Sequence, residues 1–100
     1  MASITEDQVE RVRTLVASIP EGHVSTYGDI AAAANLSSPR IVGWIMRTDS
    51  ADLPWHRVLS ASGKPAAHLA TRQLEKLVAE GVVVRDGRVD LKSIRFQFTD

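Results

Sequence analysis

Apolar residues recur with helical spacing through the first fifth of the chain, where Val9, Val12, Val16 and Ile19 are separated by three or four positions and Leu15 lies beside them. Thr5 followed by Gln8 is a capping-box pair, so a helix is predicted over about residues 6–18. Pro20-Glu21-Gly22 ends it, and Val24-Ser25 forms a short extended link to a second cap, Thr26 with Asp29 three residues on. A short alanine-rich helix follows from Tyr27 to Ala34, closed by Asn35, a residue type that tolerates the left-handed conformation. Leu36-Ser37-Ser38 is a tight turn. Ser38 suits an N-cap and Pro39 the first helical position, so a third helix starts at once and carries Ile41, Val42, Ile45 and Met46 on one face. Two short helices across such a turn form a helix-turn-helix pattern, which a plain helical hairpin shares. Between Thr48 and Ala70 the periodicity lapses except around Trp55-His56-Arg57-Val58-Leu59, which suggests one short strand in a long loop. Ordered loops of that length in small domains are usually functional. Helical spacing returns from Thr71 to Ala79 with Leu74, Leu77 and Val78, and Gly81 stands at the C-terminal cap. The alternating residues 82–91 around Asp86-Gly87 then predict a β-hairpin. The expected fold is mostly α with a short β-hairpin, a winged helix-turn-helix in one domain spanning residues 1–100.

Composition fits a globular module: of 100 residues, 44% are hydrophobic and 24% charged, without low-complexity tracts. No apolar run approaches the roughly 20 residues of a membrane span, and the N-terminus is acidic where a secretory signal would be basic, so no membrane association is expected. The expected location is cytoplasmic, at the nucleoid, or nuclear if the host is a eukaryote. The chain holds no cysteine, which excludes a disulfide, a thiolate metal site and a cysteine nucleophile within it. Net charge is zero, but its distribution is uneven. Residues 1–37 carry two basic side chains, Arg11 and Arg13, against five acidic ones; residues 38–76 carry six basic against three acidic. A polyanion would therefore meet the middle of the chain and avoid its start, leaving Arg13 on an acidic helix away from the partner.

Classical chemistry has little material here. His23, His56 and His68 lack zinc-motif spacing, Asp49 and Asp52 alone are weak cation ligands, and no serine sits in a nucleophile elbow. No metal and no cofactor are expected. Four blocks stand out instead: Val24-Ser25-Thr26-Tyr27-Gly28-Asp29-Ile30, Pro39-Arg40-Ile41-Val42-Gly43, Leu53-Pro54-Trp55-His56-Arg57-Val58 and Glu80-Gly81-Val82. In this order and spacing they resemble the DNA-binding domain of the O6-alkylguanine-DNA alkyltransferases, over about residues 6–85. That family reads Pro-Cys-His-Arg-Val in the third block, its cysteine accepting the alkyl group. Trp55 takes the cysteine's place, so the chain resembles more closely the alkyltransferase-like proteins, which bind the same lesions without repairing them.

The residues can be weighed beside the resemblance. An indole has no free lone pair to act as a nucleophile, so Trp55 cannot accept an alkyl group; its broad face can instead pack an extruded base for about 1–3 kcal/mol. A core aromatic is the competing reading. Arg40, just inside the third helix, is by default a solvated arginine, and the resemblance implies that it fills the base stack where a nucleotide has flipped out. Tyr27 could simply cap the core; the resemblance implies that it crowds the phosphate beside the target nucleotide. Pro54, Trp55 and His68 are expected with Tyr27 and Arg40 at the lesion, and Thr26, Ser38 and Lys64 along the DNA backbone. His56 and Glu80 match the pair that relays a proton from the transferase cysteine, here a structural remnant. Asp49 falls near a hinge asparagine of the transferases, in a segment about two residues shorter. The loop from Ser62 to His68 corresponds to a pocket wall but lacks the Gly-Tyr-Ser-Gly pattern, with His68 where some relatives carry a larger cation.

The function that the resemblance implies is binding of O6-alkylguanine in duplex DNA by nucleotide flipping, without alkyl removal, by a monomer that flags the site for nucleotide-excision-repair proteins. The alternative is a winged-helix regulator reading sequence through the third helix, although Arg40 and Arg47 are its only strong base readers. An enzyme, whether a transferase or a glycosylase, lacks the cysteine or an identifiable buried carboxylate.

Overall fold

The helices begin where side-chain oxygens are available to cap them. In the computed structural model, which describes residues 4–99, α1 (Glu6–Ala17) opens with a complete capping box in which Thr5 and Gln8 each accept a hydrogen bond from the other's backbone N–H. Thr26 caps α2 (Tyr27–Ala33) by accepting from the Asp29 amide. Ser38 caps α3 (Pro39–Thr48), which starts on proline as expected. Asn35 has φ +59°, and the Leu36 amide donates to the Ala31 carbonyl at 2.8 Å, so the chain leaves α2 through a left-handed cap and turns directly into α3. The predicted helix-turn-helix is therefore present, with Val42 and Ile45 turned inward.

The stretch after α3 has only short elements, for the reason its sequence suggests: it lacks any sustained apolar period. A turn of 3-10 helix (Trp55–Arg57) leads into a two-residue strand, Val58–Leu59, which pairs in parallel with β1 (Ser25–Thr26) and is here β2. The β1–β2 pairing was not foreseen, because two residues from each of two distant segments leave no periodic trace. A second 3-10 turn (Ala67–Leu69) runs into α4 (Ala70–Ala79), closed at Gly81 with φ +86°. Strands β3 (Val84–Arg85) and β4 (Arg88–Val89) form the expected hairpin, and the positive φ of Asp86 and Gly87 matches a type I′ turn. A four-residue α5 (Leu91–Ile94) follows, capped by Asp90 and also unforeseen.

Strand β2 divides the interior. Val58 joins Val12, Val16, Ile19, Ile30, Val42 and Ile45 between the first three helices, whereas Leu59 joins Val24, Leu77, Val82 and Val89 beneath the hairpin. Successive strand residues point to opposite faces, so one dipeptide serves both clusters. The C-terminal segment closes over β1: the Val24 amide donates to the Ile94 carbonyl, the Phe96 amide donates to the Val24 carbonyl, and Arg95 makes a two-pronged contact with Asp29 at 2.6 and 2.8 Å. Asp29 thereby ties the start of α2 to the chain end. Gly63 (φ +78°) seats the 60–64 turn on β4, where the Val89 amide donates to its carbonyl and a Cβ would run into the Val89 carbonyl oxygen.

Candidate nucleic-acid interface

Pro54 aims the central side chain. Its φ of −75° and ψ of 63°, with the Trp55 amide donating to the Leu53 carbonyl at 2.7 Å, define an inverse γ-turn that proline pre-sets. The chain reverses there and delivers Trp55, half-buried, to the wall of an open groove of about 990 Å³. Its indole is edged by the His56 ring, with centroids 6.1 Å apart, and faced by the Arg72 guanidinium 5.7 Å from its centre. The ring is thus held at the surface of the groove and is not a core residue.

Next to this turn lies a mostly buried carboxylate. Glu80 accepts from the Gly22 amide (3.1 Å), from His56 Nε2 (2.6 Å) and from Arg57 Nε and Nη2 (3.0 and 2.6 Å), while Arg57 Nη1 also donates to the Ile19 carbonyl. Burial pushes the Glu80 carboxyl up, but the Arg57, His56 and Gly22 donors outweigh it and hold its pKa at about 2. An ionised carboxylate only accepts, so His56 must carry its proton on Nε2. The expected His56–Glu80 pair is present, and Arg57 joins it as an unforeseen third member. Gln73, nearly fully buried, donates to the His56 and Val58 carbonyls and fixes the same turn from α4. One signal for it was available: a polar residue four positions before Leu77 on the inner stripe of a helix.

The groove also collects Tyr27, Arg40 and His68, so four of the five expected lesion residues share it. Pro54 does not line it and acts through the γ-turn. Tyr27 packs against the core and its burial raises the phenol pKa, keeping the hydroxyl neutral. Of the residues expected along the DNA backbone, Thr26 is the most enclosed. It is buried at 2% exposure, and its hydroxyl oxygen accepts from the Asp29 amide as the α2 cap, directly before Tyr27. Ser38 is similarly engaged in capping Arg40, and Lys64 is exposed on the 60–64 turn outside the groove.

Arg13 needs correction. It does not stand idle on the acidic helix: its guanidinium donates to the Asp49 carbonyl and to both Asp52 oxygens, at 2.7, 3.0 and 2.5 Å, and so clamps the segment that lines one side of the groove. Its partners lie 36 and 39 positions away, too far for any local pattern to show. The clamp also occupies Asp49 and Asp52, the two acids of the middle segment that line the groove. Among the described residues, Arg40, Arg47 and Arg72 make no ion pair, leaving a groove wall of uncompensated cations.

Residues 7–82 match the family model of the DNA-binding domain of 6-O-methylguanine DNA methyltransferase. The DNA base-flipping protein of Escherichia coli K12 is 40% identical over 97 residues, covering 89% of this chain and 74% of that protein. Alkyltransferase-like protein 1 of Schizosaccharomyces pombe is 36% identical over 81 residues, 74% of this chain and 75% of the relative. The fold superposes on the crystal structure of S. pombe Atl1 in complex with damaged DNA containing O6-carboxymethylguanine, with a TM-score of 0.85, 28% identity, and coverage of 93% of this chain and 97% of the other. With that match across residues 7–82, and with a tryptophan where the transferases carry their acceptor cysteine, the chain belongs to the 6-O-methylguanine DNA methyltransferase DNA-binding-domain family, among its alkyltransferase-like members.

Proposed function

We propose that this protein binds duplex DNA through α3, draws an O6-alkylated guanine out of the stack into the groove beside Trp55, and leaves the alkyl group in place. The observation that carries this reading is the convergence of Tyr27, Arg40, Trp55 and His68 on one open, cation-lined groove from four separate elements. Three of them have a task the geometry permits. Arg40 projects from the first turn of α3, where it can fill the gap in the stack. Tyr27 offers a neutral hydroxyl at the start of α2, which a phosphate can approach without repulsion. Trp55 gives the extruded purine a flat apolar surface backed by Arg72. Flipping costs a few kcal/mol, offset by stacking in the groove and by filling the hole.

Alkyl transfer is absent from this scheme because position 55 has no lone pair to attack with and the chain has no thiol. His56 and Glu80 hold the Trp55 turn in place of relaying a proton. A bound, uncorrected lesion on a distorted duplex is a suitable signal to nucleotide-excision-repair proteins, and handing it on is the role that the family resemblance supports.

Equilibrium competition between an O6-methylguanine duplex and the same duplex with guanine tests the binding claim, with tighter binding of the lesion expected and equal affinity refuting it. Incubation with DNA radiolabelled on the alkyl group tests the rest. All label should stay on the nucleic acid, and a labelled protein band would refute it.

A further inference from the structure

Trp44 is half exposed, at 47%, in the middle of α3, and it lines the same groove as Arg40, Arg47 and Trp55. Positions 40, 44 and 47 repeat at helical spacing, so the three side chains share one face, while Val42 and Ile45 occupy the opposite, buried one. The half-exposed indole lies between two arginines that make no ion pair among the described residues, and it gives the basic side of the groove an apolar face. The charge of its flanks selects a polyanion, and its continuity with the Arg40 end of the groove selects the same duplex that Arg40 meets.

Resting on the DNA-binding reading above, we propose that Trp44 is a second aromatic DNA contact, one that packs on the duplex whether or not a lesion is present. Trp55 then distinguishes damaged from normal guanine, and Trp44 sets the affinity common to both. The division follows from placement. Trp55 sits on the loop wall where an extruded base would arrive, whereas Trp44 rides on the helix face that seats against the unflipped duplex. As an uncharged group it neutralises no phosphate, so its contribution is insensitive to salt.

The chain contains only two tryptophans, which makes each observable in turn. In Trp55→Phe, the remaining emission comes from Trp44. It should change on titration with undamaged duplex and saturate together with the anisotropy of the labelled DNA. In Trp44→Phe, the emission of Trp55 should respond to the lesion duplex and much less to the undamaged one. Trp44→Ala should weaken both duplexes by about tenfold while keeping their affinity ratio and the salt slope. Its exposure makes the variant tolerable to the fold, which an unchanged melting temperature would verify. Flat Trp44 emission at saturating anisotropy, whether the indole is covered by a second copy, by another protein or by nothing, would overturn the proposal. So would a Trp44→Ala loss confined to the lesion duplex. If wild-type protein bound both duplexes equally while Trp44 still responded, the lesion reading would fail and this assignment would stand.

Discussion

Glu80 couples the stability of the protein to the positioning of Trp55, the lesion contact proposed above. Its carboxyl has a pKa of about 2 when folded, against 4.5 ordinarily, so the ionised form is the one the fold favours. The corresponding stabilisation, about 3 kcal/mol, is complete above pH 4.5 and is lost as the pH falls toward 2, because the unfolded chain takes up the proton first. Glu80→Gln leaves Arg57 buried beside a neutral amide and should cost about 3 kcal/mol at pH 7. Urea unfolding across pH checks this: the gap between wild type and variant should close below pH 4.5, and a gap independent of pH would contradict the ionised assignment. Trp55 lies one residue from this network but acts differently. Trp55→Ala should remove about 1–3 kcal/mol of preference for the lesion while the salt slope persists, since tryptophan neutralises no phosphate. Full lesion preference in that variant, measured across a salt series, would return Trp55 to a packing role.

At the scale of elements, the proposed function gives α3 the duplex contact and the loop after it the selectivity. Arg40→Ala should weaken lesion binding by about 1–3 kcal/mol, and Lys92→Ala, in α5 on the far groove, should have little effect. Equal losses in an affinity titration would count against seating DNA on α3. Arg13 is unsuited to that comparison because it holds Asp49 and Asp52. The hairpin depends on Gly63, and Gly63→Ala should lower stability by at least about 1–3 kcal/mol through a strained left-handed residue and a clash with Val89; an unchanged thermal midpoint would refute that docking. The elements legible in the sequence are those with local causes: caps at Thr5, Thr26 and Ser38, left-handed closures at Asn35 and Gly81, and the Asp86-Gly87 turn. What escaped has long-range causes. The β1–β2 pair, the Arg13 clamp and the Arg57 and Gln73 bonds join residues 15 or more positions apart, and apart from the place of Gln73 on the inner stripe of α4 nothing near either partner marks them. For the site, the family blocks quoted Tyr27, Arg40 and Trp55, which the fold brings to one groove, whereas the Thr26 hydroxyl oxygen serves the α2 cap, as its cap position signals.

Across the whole molecule, zero net charge conceals a working asymmetry. The acids of the middle segment that face the groove are answered by Arg13 from the acidic N-terminal helix, and Asp29 by Arg95, which leaves Arg40, Arg47 and Arg72 exposed together on one side. A neutral protein thus presents a basic face to DNA, and its binding should weaken steeply with salt despite its composition. The central claim is that this face extrudes the damaged nucleotide and holds it without chemistry. A fluorescent cytosine analogue placed opposite O6-methylguanine reports extrusion directly, because it brightens when its partner leaves the stack. Saturating wild-type protein should brighten the lesion duplex, with a weaker response from Arg40→Ala, and should leave the undamaged duplex dark. Saturated binding with no brightening of the lesion duplex would contradict the account.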